Sequence, residues 1–354
     1  MTDSLHILGS RGGGGAENFF LRLVGALNEA GHRAAAVVPA DSQVAARLPA
    51  GVPLYPVPMR SVWDLPSRWA IRRLVRRLRP AIVQTYMGRA TRLTRLPAGG
   101  GTVHLARLGG YYDLKGYRHA HAWIGNTRGI RDYLIAGGLP AERVFHIGNF
   151  IDPPRPVDAD ELAAWRARLG IPPQARLILG LGRLHPNKGF ADLLDAFERL
   201  PAEIEGRPLH LLIAGDGPLA GELHAHAGRL GCGPRIHWAG WIDDPSPCFR
   251  LAELFVCPSR HEPLGNVILE AWAEGLPVLT TASQGARELV TPGENGLLAG
   301  IGDIPGLAAG MQRLLEDAPL AQRLAEAGLS EVRTRHSREA VVGAYLDLYR
   351  RLAG

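Results

Sequence analysis

The chain has 354 residues, 46% of them hydrophobic and 21% charged. At about 100–200 residues per domain, that length and composition predict two domains with buried cores and exclude a disordered chain. The formal charge of +6 comes almost wholly from arginine, Lys115 and Lys188 being the only lysines, and no stretch interleaves aromatic with basic residues, so nucleic acid is not an expected partner.

No run of about 18 apolar residues escapes interruption by charge, which excludes a spanning helix. The first residues lead straight into Leu5–Leu8 without the basic flank and long apolar region of a secretory signal, so a cytoplasmic protein is expected. Cys232, Cys248 and Cys257 lack paired metal-ligand spacing and read as buried thiols.

Short apolar runs alternate with helical segments, the pattern of a parallel sheet covered on both faces. In the first half the predicted strands are 5–9, 33–38, 53–57, 81–86, 102–107, 122–125 and 144–147. The clearest helix there is 17–30, with Phe20, Leu23, Val24 and Leu27 on one face and Gly31 as its stop. Three prolines within Asp152-Pro153-Pro154-Arg155-Pro156 mark a linker, since they neither donate to a ladder nor continue a helix.

Beyond the linker the alternation restarts, with strands 177–182, 209–214, 236–239, 254–258 and 277–280, and helices 191–200, 219–230 and 267–274. Three helical segments close the chain, the last being 338–352 with Val341, Tyr345, Leu348 and Tyr349 at core-facing spacing. The expected domains are 1–153, 154–336 and a terminal helix over 337–354.

Three segments carry candidate chemistry. Gly9-Ser10-Arg11-Gly12-Gly13-Gly14-Gly15-Ala16-Glu17 joins a strand to a helix, where glycines permit close backbone approach and the helix start attracts anions. Its spacing matches neither Gly-x-Gly-x-x-Gly nor a phosphate loop with Lys-Ser/Thr, so it also reads as a plain flexible turn. Gly182-Arg183-Leu184-His185-Pro186-Asn187-Lys188-Gly189 leaves the first strand of the second half. Ligands of doubly wound sheets sit outside carboxyl strand ends, so Arg183 and Lys188 are candidates to hold a diphosphate, or else solvated loop charges. The third segment, Pro258 to Pro277, places Glu262 in a loop and Glu270 one turn inside a helix that starts near Gly265 and stops at Gly275. Phosphate at that helix start with a carboxylate to either side outlines a nucleotide-sugar site, although two Glu at this spacing also arise as surface charges.

The run Glu262–Pro277 resembles the signature helix of retaining glycosyltransferases of family four. GRLHPNKG, IAGDGP at 213–218, GWIDD at 240–244, EPLG and ENGLLA at 294–299 follow in that family's order; GGAE, IGNT at 124–127 and IGNFID at 147–152 match more loosely. The resemblance implies a GT-B fold: two facing Rossmann-like, doubly wound parallel-sheet α/β domains, with a C-terminal helix returning to the first. It implies that Arg183 and Lys188 bind the donor diphosphate, Glu262 contacts sugar hydroxyls and Glu270 holds the ribose. Backbone amides of Leu264, Gly265 and Asn266 would touch phosphate, Gly14 and Gly15 would cover the donor from the first domain, and Asp216 to Pro218 with Trp241 and Ile242 would border the base. The family carries a catalytic His at the end of a first-domain strand, for which His104 is the nearest match. If its strand continues to Leu108, His104 instead packs in the core, and Arg107 or the Gly109-Gly110 turn takes the sugar edge.

The implied activity is transfer of a sugar from a nucleotide-diphosphate donor to a glycan or lipid-linked acceptor, with retention of configuration. No cofactor is expected. In the absence of a metal-binding carboxylate cluster, Arg183, Lys188 and the helix start would stabilise the leaving phosphate, so metal-independent transfer is expected. A nucleotide-sugar epimerase of related architecture is the alternative. In 67–79, Trp69, Ile71, Leu74, Val75 and Leu78 can form one apolar face of an arginine-rich helix, which either lies peripherally on the inner membrane face or simply covers the sheet with a basic solvent side.

Overall fold

The protein is described here by a computed structural model covering residues 3–354. The chain divides into two compact units, one ending at Phe150 and completed by Arg338–Gly354, the other formed by Ile151–Ser337.

The first unit is built on seven parallel strands: β1 (Ser4–Leu8), β2 (Ala34–Val38), β3 (Leu54–Pro56), β4 (Ile82–Tyr86), β5 (Val103–Leu108), β6 (Ala122–Gly125) and β7 (Val144–His146). Their order is β3-β2-β1-β4-β5-β6-β7. Every residue of β1, β2 and β4 is buried, as expected for a sheet covered on both faces. Helix Gly15–Glu29 starts ahead of the predicted Glu17 and buries Phe20, Leu23, Val24 and Leu27. The terminal helix Arg338–Ala353 joins the same core through Val341, Val342, Tyr345, Leu348 and Tyr349, packed with Phe20, Tyr86 and Phe150. Its tyrosines find partners inside: Arg107 Nε donates to Tyr345 Oη at 3.0 Å, and Tyr349 Oη donates to Gln84 at 2.7 Å.

Two sequence expectations for this unit are corrected. His104 lies near the start of β5, paired with Val83 of β4, and is fully buried. The strand runs on to Leu108, so its carboxyl end, where the resemblance puts a histidine, is beyond His104. Thr91 Oγ1 donates to Met87 O, which leaves Thr85 to donate to Thr91 and to accept from His104 Nε2 at 3.0 Å. Burial, aided by His119 and His121, holds the His104 ring well below its ordinary pKa. His104 is therefore a neutral core residue. Arg107 is also buried, with its guanidinium over the Phe19 ring at 3.9 Å and donating to Asn149.

The second correction concerns helix Leu65–Leu78, capped by Asp64, whose side chain accepts from Ser67 N. Its buried side is Ser67, Ile71, Leu74 and Val75, whereas Trp69 is 59% exposed and does not belong to the inward apolar face. The spacing that admitted Trp69 to one broad face places it instead on the outward stripe with Arg72 and Arg76.

His6 supplies a pH-dependent element. It is fully buried between Ser4 Oγ and Tyr86 Oη, both at 2.9 Å, and burial lowers its pKa to about 3. Below pH ~6.5 the unfolded chain binds a proton that the folded one refuses, so stability is fully present above that pH and falls as pH drops towards 3, by about 1.4 kcal/mol per pH unit for this group. Thermal melts of His6→Gln should show a shallower acid-side loss than the parent; equal slopes would remove His6 as a cause.

The second unit contains β8 (Arg176–Leu181), β9 (Glu203–Ile204), β10 (Arg207–Ala214), β11 (Ile236–Gly240), β12 (Leu254–Cys257), β13 (Val278–Thr281) and β14 (Leu297–Ala299). Its sheet order is β11-β10-β8-β12-β13-β14, parallel throughout, with β9 antiparallel to β10 at one side. The chain winds outwards from β8 through β10 to β11, then returns to place β12 on the other side of β8. Such a reversal opens a crevice at the carboxyl ends of the two central strands. The three cysteines are free and buried.

Candidate active site

The crevice between β8 and β12 is lined by two of the segments singled out in the sequence. After β8 the chain enters a short 3-10 turn, Pro186–Lys188, followed by helix Phe190–Glu198. After β12 it runs through Ser259–Leu264 to helix Asn266–Ala273. Lys188 Nζ and Glu262 Oε2 form an ion pair across the two loops, with the side chains 27% and 12% exposed. Arg183 is exposed on the first loop.

The two loops are fastened by contacts that the sequence did not announce. The backbone N–H groups of Arg260 and His261 both donate to Asn187 O, at 2.8 and 3.0 Å. The Arg260 guanidinium grips the buried Asp192 carboxylate with two bonds of 2.8 and 2.6 Å. Gly189, at φ +65°, passes so close to β12 that a Cβ there would stand 2.1 Å from Pro258 O. Glu262 O accepts from Gly285 N at 2.7 Å, which ties the second loop to helix Gln284–Leu289. Arg260 and Asp192 are thus positioning residues that fix the distance between the loops carrying Lys188 and Glu262. Because the Arg260 side chain is 54% exposed, Arg260→Ala should cost a discounted ~1–2 kcal/mol of stability. Its larger effect should be on the affinity for pyrophosphate between the two loops, measured by titration calorimetry, with the double variant Asp192→Asn/Arg260→Gln losing no more than either single change.

Helix Asn266–Ala273 begins at Gly265, whose φ of +85° turns the chain sharply into the helix, and no side chain caps it. An uncapped helix start is suited to an anion. Leu264, Gly265 and Asn266 stand there, while Glu270 is half-buried one turn further on. Cys257, at the end of β12, is raised above its ordinary pKa by burial and by the Glu262 charge, which keeps it a thiol and not a nucleophile.

Two further loops flank the crevice at the ends of β10 and β11. Gly182 N donates to Ala214 O, Leu184 N to Asp216 O and Leu219 N to Leu184 O, so the turn carrying Arg183 interlocks with 215–218. Gly215 N donates to Gly240 O at 2.8 Å and brings Asp216 near the β11 end. There Trp241 is 70% exposed with its indole N–H directed to Asp243, and Ile242 packs partly against the core. The second unit therefore gathers Arg183, Lys188, Glu262, Glu270 and Leu264–Asn266, with Asp216, Trp241 and Ile242 beside them. Gly14 and Gly15 lie in the first unit at the uncapped start of the Gly15–Glu29 helix, past the β1 carboxyl end. Among the described residues, no group of three or more His, Cys, Asp or Glu is arranged to hold a metal ion.

Comparison with known proteins agrees with this geometry. Residues 13–155 match the description glycosyltransferase family 4, and residues 163–330 match glycosyl transferases group 1. The chain is 35% identical over 340 residues to the lipopolysaccharide core biosynthesis glycosyltransferase LpsE of Rhizobium meliloti, covering 95% of each chain. It belongs to glycosyltransferase family 4. A second relative of this glycosyltransferase, LpsD from the same organism, is 32% identical over 341 residues, covering 96% of this chain and 95% of that one. In fold, it superposes on Anabaena HepE, solved in complex with UDP and glucose, with a TM-score of 0.82 at 20% identity over 98% of this chain and 99% of that one. The sheet order, crevice and terminal helix are those of the GT-B fold that the motifs implied.

Proposed function

We propose that this glycosyltransferase moves a sugar from a nucleotide-diphosphate donor to the lipopolysaccharide core or another lipid-linked glycan, with retention and without a metal ion, at the inner face of the membrane. The observation that carries the reading is the joining of Lys188 and Glu262 at the sheet's switch point, beside an uncapped helix start. A diphosphate at that start meets Lys188 and Arg183, its sugar hydroxyls meet Glu262, its ribose meets Glu270, and its base lies by Asp216, Trp241 and Ile242.

Departure of the nucleotide leaves negative charge on its terminal phosphate. Each fixed donor aimed at that charge lowers the barrier by about 2–4 kcal/mol, and Lys188, Arg183 and the helix amides supply several without a Lewis acid. Retention is explained by same-face attack in which the leaving phosphate takes the acceptor's proton, so no protein nucleophile is needed. Support for a glycan acceptor comes from the names of LpsE and LpsD. A uridine donor is supported by HepE, also solved in complex with UDP-glucose. Contact with the membrane face is supported by the outward Trp69 on an arginine-rich helix.

A panel of nucleotide sugars tests the reading. A ligand selective for the folded state stabilises it by about 2.7 kcal/mol at a hundredfold excess over Kd. One donor should raise the melting temperature and then label a core-truncated lipopolysaccharide, in the presence of a chelator as well as without it. Loss of turnover on chelation would overturn metal independence, and conversion of donor without acceptor would overturn transfer.

A further inference from the structure

A hollow of about 400 Å3 lies in the first unit at the amino ends of β1 and β4. The terminal helix closes it on one side through Leu346, Tyr349 and Ala353; Ala30, Ala81 and Ile82 stand opposite, at the end of the Gly15–Glu29 helix and the start of β4. Its walls are mostly apolar and its size is that of a small-molecule site. The ring of His32 lines it too, 5.5 Å from that of Tyr349 and tilted by 42°.

Beneath the hollow, side chains from Tyr349 to His32 form one hydrogen-bonded chain with a fixed direction. Tyr349 Oη donates to Gln84 Oε1, and Gln84 Nε2 donates to Tyr86 Oη, both at 2.7 Å. The Tyr86 hydroxyl then gives its own hydrogen to His6 Nδ1 at 2.9 Å. A neutral, buried His6 keeps its proton on Nε2 and donates it to Ser4 Oγ, and Ser4 in turn donates to His32 Nε2, both at 2.9 Å. His32 accepts there only with its own proton on Nδ1. That N–H meets no acceptor among the described residues, and its half-buried ring stands on the wall of the hollow.

The charges around this donor select what it can meet. Asp3, held by Arg33, lies close enough to His32 for its carboxylate to be felt, and the helix end at Ala30 and Gly31 is a negative pole. Both oppose an anion, and Arg350 on the rim is already paired with Asp347. The His32 N–H opposes a cation. We propose that the hollow binds a small, neutral, ring-bearing molecule with a carbonyl acceptor, the carbonyl meeting His32 Nδ1 and the ring lying against Tyr349. Such a ligand touches the terminal helix and the body of the unit at once, and so fastens that helix in place.

Ligand-observed NMR titration of the full-length protein tests this with acetophenone and with α-methylstyrene, in which a CH2 group replaces the carbonyl oxygen. Both should bind the parent. Ala30→Trp, which fills the hollow from an exposed position, should bind neither. His32→Phe keeps a ring and removes the donor, so the ratio of acetophenone to α-methylstyrene affinity should fall about tenfold. His32→Gln can still accept from Ser4 and donate into the hollow, and should keep the parent's ratio. An unchanged ratio in His32→Phe, or an equal fall in His32→Gln, overturns the role of the donor. Undiminished binding to Ala30→Trp, or no binding to the parent, overturns the site, and decides it even if His32→Phe does not fold.

Discussion

Lys188→Ala is expected to lower sugar transfer about 10²–10³-fold, the usual loss when one preorganised donor to a developing anion is removed. The side chain stands at the crevice between β8 and β12, paired with Glu262, and is the only lysine of the second unit. In a chain whose only other lysine is Lys115, a compact ammonium here fits a point contact with phosphate. Its removal leaves the Glu262 carboxylate mostly buried without a cation, at a cost of about 1–2 kcal/mol after allowing for solvent. The melting temperature should thus fall by a few degrees at most while turnover collapses. Initial rates with the donor found by the panel, measured beside calorimetric melts, give both numbers. Turnover within a factor of two of the parent would refute the assignment of Lys188 to the diphosphate.

Gly189→Ala should be the most damaging single methyl group near the site. Its Cβ would stand 2.1 Å from Pro258 O, in a backbone at φ +65°. The left-handed conformation costs about 1–2 kcal/mol for a residue other than glycine, and an overpacked methyl adds about 1–3. For a unit of this size each kcal/mol shifts melting by about 2–4 °C, so a fall on the order of 5–15 °C is expected in the second unit. Relief requires the loop after β8 to move off β12, which breaks the hydrogen bonds from Arg260 and His261 to Asn187 and separates Lys188 from Glu262. Donor affinity should accordingly fall well below the melting range. An unchanged melting temperature would show that the close approach at Pro258 is not tight in solution.

Much of this architecture was legible because buried parallel strands announce themselves as apolar runs. The β8, β10 and β12 segments were readable for that reason, and Gly275 after the Asn266–Ala273 helix marked the turn into β13. What escaped was of two kinds. Trp69 is apolar and sits at a spacing shared by the inward and outward faces, so periodicity alone did not assign it; the three arginines that follow on the same stripe were the available signal. The Asp192–Arg260 pair joins residues 68 positions apart, and an acid in the first turn of a helix ordinarily answers the helix dipole. Only the packing of the 183–189 and 258–264 loops shows that this acid holds an arginine. His104 was ambiguous because the end of β5 was; its ladder runs to Arg107 against β4 and to Leu108 against β6, which leaves the histidine inside.

The terminal helix has a consequence for biosynthesis. Tyr345, Leu348 and Tyr349 complete the core around Phe20 and Tyr86, so the first unit lacks part of its interior until residues 338–353 have been made. On the ribosome the second unit emerges whole before the first receives that missing piece, and domains tend to fold as they emerge. The unit translated first is thus the last to close, and in the interval the apolar surface around Phe20 and Tyr86 lacks its cover.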